Sequence, residues 1–289
     1  MSSQVQRPLI STVPQGGTHY PTELSELPHP PRSLSMIGDS RLLKMPCVAI
    51  VGTRAPTQYG IRIARALATQ MADAGICVVS GMARGIDSAA HWAALESGGK
   101  TVGVLGTSVD IPYPATNRPL YNRLSTDGLL VSEFDTGKPA FRGCFPRRNR
   151  IIAGLAKVTI VVEAGRKSGA LNTAMHAIEL GRTVAAVPGN IDCPQASGSN
   201  QLLRDGAHLI ASIADAMMLI GVDPKPKATS ASLSDTEQKV YHALGSEGND
   251  LDSIATLTRL PIRECMAAVG TLEVLGLVEC VLTGEIHRR

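Results

Sequence analysis

The residue types best suited to chemistry in this sequence are concentrated in one short basic segment, 138–150. The segment reads KPAFRGCFPRRNR and contains five basic residues, no acidic residue and two of the protein's three phenylalanines, Phe141 and Phe145. Cations can follow a phosphate backbone while aromatic rings stack on bases, a combination that single-stranded nucleic acid requires. The alternative is a solvated basic loop with Phe145 in the core. The composition of the segment favours the nucleic-acid interpretation.

Two glycine-containing turns offer further groups for binding anions. The turn at 51–56, VGTRAP, follows a predicted strand and leads into a helix, so it presents free backbone amides. Arg54 in this turn adds a guanidinium that can hold phosphate with two hydrogen bonds, although a solvated or ion-paired surface arginine is the alternative. The segment 163–169, EAGRKSG, adds Arg166 and Lys167. Neither turn contains GxGxxG or GxxxxGK[ST], which weakens dinucleotide binding and ATP hydrolysis.

A third glycine-rich turn, at 80–88, contains residues that resemble a catalytic or metal-binding group. We predict that Asp87 caps the helix that carries His91. His91 has no histidine or cysteine partner at metal-ligand spacing, so we expect a structural histidine. The six cysteines form no C-x-x-C pair, which argues against zinc and redox sites. We therefore expect no bound metal and no cofactor.

The elements that must position these residues follow an alternating pattern. From Cys47 onward, short apolar runs alternate with helical periods, which predicts an α/β fold with a Rossmann-like, doubly wound, mostly parallel sheet. Because the loops of such a sheet leave the carboxyl ends of the strands, they converge on one crevice. We expect this crevice to collect the basic side chains of the loops, namely Arg54, Arg142, Arg147, Arg166 and Lys167. The predicted strands are 47–52, 77–81, 101–106, 129–134, 158–164 and 183–188.

Composition divides the chain into four predicted parts. Residues 1–46 contain seven prolines, which excludes a helical domain there. We expect 1–19 to be a flexible N-terminal segment and 20–222 to form the Rossmann-like domain, with Ser33–Gly38 as a short edge strand. A proline- and serine-rich linker is predicted at 223–232. Three helical patterns and a hairpin in 233–289 then predict a small winged-helix domain.

The charge is distributed unevenly between these parts. The net charge is +3, but residues 228–289 contain five basic and nine acidic residues, a balance of −4. The remainder contains 23 basic and 16 acidic residues, a balance of +7. A polyanion should therefore bind the main domain. No apolar run approaches the length of a membrane-spanning helix, and the N-terminus lacks the apolar core of a signal peptide, so we expect a cytoplasmic protein without membrane contact.

The motifs also resemble a known family in content and order. VAIVGTR, SGMARGIDSAAH, IPYPATN, SEF, FPRRNRIIAGL, VEAGRKSGALNTA and PGN with G-x-N-x-L-x-x-GA occur between residues 20 and 221. This series resembles the DNA-processing protein A family, DprA or Smf. The C-terminal domain looks like the winged-helix appendage of that family. Family members usually have serine at the position of Thr53. Many also begin with a helical SAM-like domain, for which 1–19 leaves no room.

The resemblance implies a homodimer that binds single-stranded DNA and loads the RecA recombinase during natural transformation, without being an enzyme. It implies that Arg54, Arg142, Phe145 and Lys167 contact DNA. Together with the loop residues identified above, the candidate DNA-binding residues are Thr53, Arg54, Gly81, Arg84, Arg142, Phe145, Arg147, Arg148, Asn149, Arg166, Lys167, Ser168 and Asn190.

Two other functions are compatible with this class of fold. One is a nucleotide phosphoribohydrolase-type enzyme of the lysine-decarboxylase-like group, and the other is a nucleotide-binding module without catalysis. The enzyme group has a P-G-G-x-G-T-x-x-E signature, of which only the segment 188–190, PGN, has a counterpart here. No pair of carboxylates has a spacing suited to acid–base catalysis. A nucleotide-release assay distinguishes an enzyme from a binding protein.

Overall fold

The computed structural model describes residues 9–222, 233–244, 249–274, 277–281 and 284–288. The chain divides into two compact units, Met1–Pro224 and Lys225–Arg289. The division falls inside the predicted linker, 223–232, which lies outside the described residues. No helix in the described part of the chain has the length and apolar character needed to cross a membrane.

The first unit is built around a mostly parallel sheet, as the sequence predicts. Its nine described strands are arranged β1-β2-β6-β5-β4-β3-β7-β8-β9. The β1–β2 and β2–β6 pairs are antiparallel, and the remaining pairs are parallel. The strands are β1 (Ser11–Pro14), β2 (Ser33–Gly38), β3 (Cys47–Val51), β4 (Cys77–Ser80), β5 (Thr101–Val104), β6 (Leu129–Ser132), β7 (Val158–Val161), β8 (Thr183–Ala186) and β9 (His208–Leu209).

Helices cover both faces of this sheet. Val48 and Ile50 of β3 belong to one apolar cluster, and Ala49 and Val51 belong to another on the opposite face. Burial on both faces explains why the strands read as continuous apolar runs without alternation. The helices are α1 (Thr22–Ser25), α2 (Gln58–Asp73), α3 (Ile86–Glu96), α4 (Arg118–Asp127), α5 (Cys144–Leu155), α6 (Gly169–Glu179), α7 (Ser197–Arg204) and α8 (Ile213–Leu219).

The strand order reverses at β3. The chain adds β4, β5 and β6 on one side of β3, and it then crosses back to place β7, β8 and β9 on the other side. The point between β3 and β7 is therefore the topological switch point. Open α/β sheets bind their ligands in the crevice outside the carboxyl ends of the strands at such a point.

The N-terminal part of the sheet differs from the prediction. Residues 11–14, predicted to be flexible, form β1 and pair with residues 33–36 of β2. Because β2 also pairs with β6, it lies inside the sheet, and its prediction as an edge strand is wrong. The four residues of β1 are too few to establish an alternating pattern in the sequence. The observed parallel strands also end one to three residues before their predicted ends, because the chain turns into the loops there.

The second unit has the elements of a winged helix. Three helices, α9 (Asp235–Ala243), α10 (Leu251–Thr258) and α11 (Ile262–Val274), are followed by the antiparallel strands β10 (Val278–Cys280) and β11 (Ile286–Arg288). Its core includes the buried side chains of Val240, Ile254, Cys265, Leu272 and Ile286. Apolar residues from all three helices and from the β10–β11 sheet therefore meet in a single cluster.

Candidate nucleic-acid interface

A cleft of about 650 Å³ lies at the switch point, and we call it the switch-point cleft. It is formed by the β3–α2 loop, one side of α5 and the β7–α6 loop. A second hollow of about 200 Å³ shares Arg54, Phe145 and Arg148 with it and adds Gly81 and Arg84 from the β4–α3 loop. The candidate residues that line the cleft itself are Thr53, Arg54, Phe145, Arg148, Asn149, Lys167 and Ser168.

Phe145 lies close to two neighbouring side chains. Its ring centroid lies 5.1 Å from that of Tyr113, with an interplanar angle of 32°. The guanidinium carbon of Arg54 lies 5.5 Å from the centroid of the Phe145 ring, within range of a cation–π interaction. A Cβ atom on Gly106 would approach the ring to 2.7 Å, so glycine is required there for the ring to sit in place. Phe145 is half-buried, and it lines both hollows.

The position at which α5 begins determines which residues of the basic segment face the cleft. Phe145, Arg148, Asn149 and Ile152 recur at helical spacing and line the cleft together. Arg147 lies on another side of the helix, where its guanidinium donates to the Glu133 carboxylate over 2.9 Å. From the sequence, this segment is expected to be a loop. In the structure a helix begins at Cys144 and directs the cations of the segment to different sides.

Arg148 is engaged with the protein and is only 4% exposed. Its guanidinium donates to the Gly81 carbonyl over 2.5 Å, and it also donates to the Val104 carbonyl. Burial lowers the pKa of Arg148 to about 10, an effect that the charge of Asp87 opposes, so the group remains protonated at neutral pH. We therefore assign Arg148 a structural role, in which it joins α5 to β5 and the β4–α3 loop and contributes positive charge to the cleft.

Asp87 organises the loop that Arg148 contacts. Its carboxylate accepts hydrogen bonds from the Gly81 and Ala83 amides over 3.1 and 3.3 Å. The predicted capping role is wrong, because Gly85 occupies the N-cap of α3 and Asp87 is the second residue of the helix. Burial raises the pKa of Asp87, and the charge of Arg148 opposes this shift.

The β4–α3 loop also contains a strained residue. Met82 has a φ of +58°, which is uncommon for a residue other than glycine. The Asn117 side-chain amide donates to the Met82 carbonyl over 2.9 Å and helps to hold this conformation. Such strain persists only where the surrounding structure fixes it, and it is frequent at binding sites.

The β3–α2 loop is fixed by Glu163, which the sequence analysis did not include among the site residues. The Glu163 carboxylate accepts from the Thr57 amide over 2.9 Å and also from the Thr57 hydroxyl, at the start of α2. The Thr53 amide donates to the Glu163 carbonyl over 2.7 Å. A Cβ atom on Gly60 would approach the carboxylate to 2.3 Å. A single glutamate at the end of the apolar run 158–164 is the signal in the sequence that could have identified this role.

The start of α6 forms the remaining wall of the cleft. Ser168 is the N-cap, and its hydroxyl accepts from the Ala170 amide over 3.3 Å. The Asn149 side-chain amide donates to the Gly169 carbonyl over 3.2 Å, which joins α5 to α6. Lys167 precedes the cap and is exposed. The positive end of the helix dipole therefore lies beside a lysine, an arrangement suited to an anion.

Four candidate residues line neither the switch-point cleft nor the second hollow. Arg142, Arg166 and Asn190 are exposed in their loops, and Arg147 is bound to Glu133. The prediction that all five basic loop residues lie in one crevice is therefore wrong, since only Arg54 and Lys167 of that set line it. Strand order places the loops at one edge of the sheet, but it does not determine where each side chain points.

His91 is a buried residue whose ring is fixed by a hydrogen bond. Its Nδ1 lies 2.6 Å from the Thr101 hydroxyl oxygen, and that hydroxyl donates to the Val78 carbonyl over 2.7 Å. Burial, with a further contribution from the Arg148 charge, lowers the pKa of His91 to about 3, so the ring is neutral. The ring therefore donates from Nδ1 to Thr101. Within the described ranges, no group of three or more His, Cys, Asp or Glu side chains is arranged to hold a metal ion.

Comparisons with known proteins identify the family of the chain. The family model "DNA recombination-mediator protein A" matches residues 11–221, and the model "DprA winged helix domain" matches residues 224–281. A putative DNA processing protein DprA from Mycobacterium tuberculosis is 42% identical over 262 residues, which cover 87% of this chain and 67% of the relative.

Two solved structures are similar over most of the chain. The X-ray structure of DNA processing protein A from Streptococcus pneumoniae is 40% identical, with a TM-score of 0.69 and coverage of 74% of each chain. The solved structure of DNA processing protein A from Helicobacter pylori is 31% identical, with a TM-score of 0.68 and coverage of 74% of this chain and 97% of the other. The latter work concerns the single-stranded DNA binding mode of the Helicobacter protein.

Proposed function

This chain belongs to the DNA recombination-mediator protein A (DprA/Smf) family of DNA-processing proteins, and we propose that it binds single-stranded DNA in the switch-point cleft without catalysing a reaction on it. The observation that carries the proposal is the Phe145 ring beside Arg54, within a cleft that also contains Lys167 and the start of α6. A single strand exposes both its phosphates and the faces of its bases, and this cleft offers groups for both.

Each group in the cleft has a role in this proposal. Arg54 and Lys167 are exposed and bind phosphate oxygens, with the amides at the start of α6 adding hydrogen-bond donors. Phe145 stacks against a base. The pairing of stacking with phosphate contacts makes the binding nearly independent of sequence, because every base has a π-face. A paired duplex hides those faces, so it should compete poorly.

The arrangement of Asp87 supports binding rather than catalysis. Asp87 is the carboxylate among the residues that line the cleft, and its Oδ2 accepts hydrogen bonds from two loop amides. A general base must reach the proton that it removes, and a carboxylate engaged in this way is poorly placed for that task. The Asp87 carboxylate therefore stabilises the conformation of the β4–α3 loop.

Membership of the family supports a proposal for the wider biological role. We propose that the protein acts as a homodimer in the cytoplasm, and that it delivers bound single strands to the RecA recombinase during natural transformation. Handing a strand to a recombinase requires binding that tolerates any sequence and releases readily. Binding through phosphate and stacking contacts has these properties, and it weakens as salt concentration rises.

The test is a comparison of single-stranded and double-stranded oligonucleotides of the same sequence by fluorescence anisotropy, over a range of salt concentrations. We expect tighter binding of the single strand, with an affinity that falls steeply as salt increases. Equal affinity for the matched duplex would refute the single-strand proposal. Release of free base from nucleoside monophosphates would instead support the hydrolase alternative.

A further inference from the structure

A third hollow, of about 740 Å³, lies beside α5 and outside the switch-point cleft. We call it the Glu133 hollow. It is formed by the end of β1, the segment 28–33 before β2, the residues after β6 and the side of α5 that faces away from the cleft. The residues that carry the argument are His29, Arg32, Glu133, Arg147 and Arg150.

An incompletely bonded ion cluster lies in the wall of this hollow. The Glu133 side chain is only 2% exposed, and its Oε2 accepts from both Arg147 and Arg150. The buried atoms Oε1 of Glu133 and Nη1 of Arg150 have no hydrogen-bond partner among the described residues. Leaving a buried charged group without a partner is costly, so both atoms would gain a hydrogen bond from a ligand that reaches them when the exposed Arg147 side chain moves aside.

An aromatic cluster connects this hollow with the basic segment. The rings of Phe134 and Phe141 lie 5.3 Å apart at an interplanar angle of 81°. The Lys138 ammonium lies 5.9 Å from the centroid of each ring, and the Arg147 guanidinium carbon lies 5.5 Å from that of Phe134. Phe141 is 42% exposed, so part of its ring is open to stacking. This cluster repeats the pairing of ring and cation seen at Phe145.

The hollow lies at the same edge of the sheet as the switch-point cleft. The cleft is at the carboxyl end of β3, and Glu133 follows the carboxyl end of β6, three strands away in the sheet. Neighbouring strands are about 4.8 Å apart, so the two places are separated by about 14 Å. The exposed Arg142 lies in the loop between β6 and α5. A short stretch of single strand can therefore reach both places.

Building on the proposed function, we propose that the Glu133 hollow is a second subsite for single-stranded DNA, which accepts the edge of one base. Glu133 Oε1 accepts an N–H of the base, and Arg150 Nη1 donates to a neighbouring acceptor on it. Arg147 is 57% exposed, and it exchanges its contact with Glu133 for a DNA phosphate, which uncovers the carboxylate. Arg32 and His29 at the rim supply further contacts to phosphate.

The same pair of atoms suits any of the four bases. Each base presents an N–H donor beside an acceptor on its Watson–Crick edge, and single-stranded nucleic acids are recognised through such edges. One donor and one acceptor therefore hold a base without selecting its identity. A peptide backbone also offers a donor and an acceptor, but the neighbouring rings and cations favour a nucleic acid.

The test measures the affinity of the full chain for oligothymidylates of increasing length. For the unmodified protein we expect a rise of about tenfold, or about 1.4 kcal/mol, once the oligonucleotide is long enough to span both subsites. Abasic positions at the distal end should remove this rise while the phosphates stay in place. The variants Glu133→Gln and Arg32→Ala should lose the rise and keep the affinity for the shortest oligonucleotide that binds.

Arg41→Ala is the matched control. Arg41 is an exposed arginine that follows the end of β2 at the opposite edge of the sheet, so its loss removes one charge without touching either subsite. Circular dichroism and size-exclusion chromatography should show that all variants keep the fold and the oligomeric state, and Arg32→Ala provides the test if Glu133→Gln does not fold.

Several outcomes would overturn the second subsite. These are the absence of a length-dependent rise, a rise that survives both variants, and a rise unaffected by abasic positions. The last result would indicate a phosphate track only, and the first would indicate a hollow that holds water or a protein segment. Failure of the proposed function is distinguishable, because the unmodified protein would then bind no single strand of any length.

Discussion

At the scale of single residues, the arginines of the basic segment and its neighbouring loops have different roles. Arg54 is exposed beside Phe145, whereas Arg148 is buried and bonded to backbone carbonyls. Substitution of each should therefore affect different properties of the protein. Loss of an exposed contact reduces binding alone, and loss of a buried brace also reduces stability.

The variants Arg54→Ala and Phe145→Ala test the exposed contacts. Each should weaken single-strand binding by about 1–3 kcal/mol, through a lost charge-assisted phosphate contact or lost base stacking. Thermal unfolding should show that both proteins remain folded. If Phe145→Ala lowers the midpoint of unfolding while the affinity of the folded protein is unchanged, the ring acts as a core residue.

Arg148→Met tests the buried brace. This change leaves the carbonyls of Gly81 and Val104 without a donor and Asp87 without a nearby positive charge, so we expect a loss of about 2–5 kcal/mol of unfolding free energy. Urea unfolding measures the loss. DNA affinity should fall as well, because the β4–α3 loop loses its support. Unchanged stability with reduced affinity would make Arg148 a direct DNA contact.

His91 should contribute to the dependence of stability on pH. Burial and the Arg148 charge lower the pKa of His91 to about 3 in the folded protein, from 6.5 for the ring without these effects, as in the unfolded chain. The unfolded chain therefore binds the extra proton between these values, and stability is lost as pH falls from about 6.5 toward 3. His91→Asn keeps a donor for Thr101 but cannot titrate. Urea unfolding between pH 7 and 4 should show a shallower decline for this variant, and parallel curves would contradict the assignment.

Several residues of the site could be predicted from the sequence, but the direction in which each basic side chain points could not. Arg54, Phe145 and Lys167 were identified from composition, from loops after strands and from family resemblance, and all three line the cleft. The separation of Arg147 from Arg148 depends on where α5 begins. No pattern in a short run of cations reveals that starting point.

At the scale of elements, close contacts between loops shape the cleft. Gly85 has a φ of +83°, and a Cβ atom there would approach the Thr53 carbonyl oxygen to 2.4 Å. The β4–α3 loop thus packs directly on the β3–α2 loop that carries Arg54. Six of the seven strands in parallel pairs were located from their apolar runs, and the two-residue strand β9 was missed. The contact between the two loops involves residues far apart in sequence and left no local pattern.

Gly85→Ala should disturb both loops. The variant combines backbone strain of about 1–2 kcal/mol with a clash against the neighbouring backbone, so both stability and DNA affinity should fall. Gly181→Ala is the matched control, because Gly181 also has a positive φ, +64°, but nothing lies within 4 Å of the added Cβ. The Gly181→Ala variant should lose stability but keep its DNA affinity. Equal DNA affinities for the two variants would show that the loop contact does not shape the cleft.

At the scale of the whole molecule, the charge difference between the two units predicts different functions for them. The helix α11 exposes Ile262 and Met266, and Arg288 donates to the Tyr241 carbonyl over 2.8 Å. A DNA-recognition helix needs cations for phosphates, and non-specific affinity rises with their number. With a balance of −4, the segment 228–289 is better suited to contact a protein or to modulate the main domain.

Truncation after Lys227 tests this division. The shortened protein should bind single strands within a few-fold of the full chain, since a tenfold change needs about 1.4 kcal/mol. Anisotropy with the same oligonucleotides measures the change, and size-exclusion chromatography checks that the oligomeric state is retained. Loss of most of the binding by a folded, equally assembled protein would assign DNA contacts to the winged helix.

The position of β2 inside the sheet has a consequence for the order in which the chain assembles. Ser35 pairs with Ser132, so β1 and β2 leave the ribosome long before β6 is made. At about 5–20 residues per second the wait is about 5–20 s. A two-stranded hairpin alone is only marginally stable, so these strands remain open to pairing with another chain in that interval. The Glu133 hollow lies between 28–33 and the end of β6, so it can form only after this late pairing. Chaperones that cover the early hairpin would protect the hairpin from pairing with another chain.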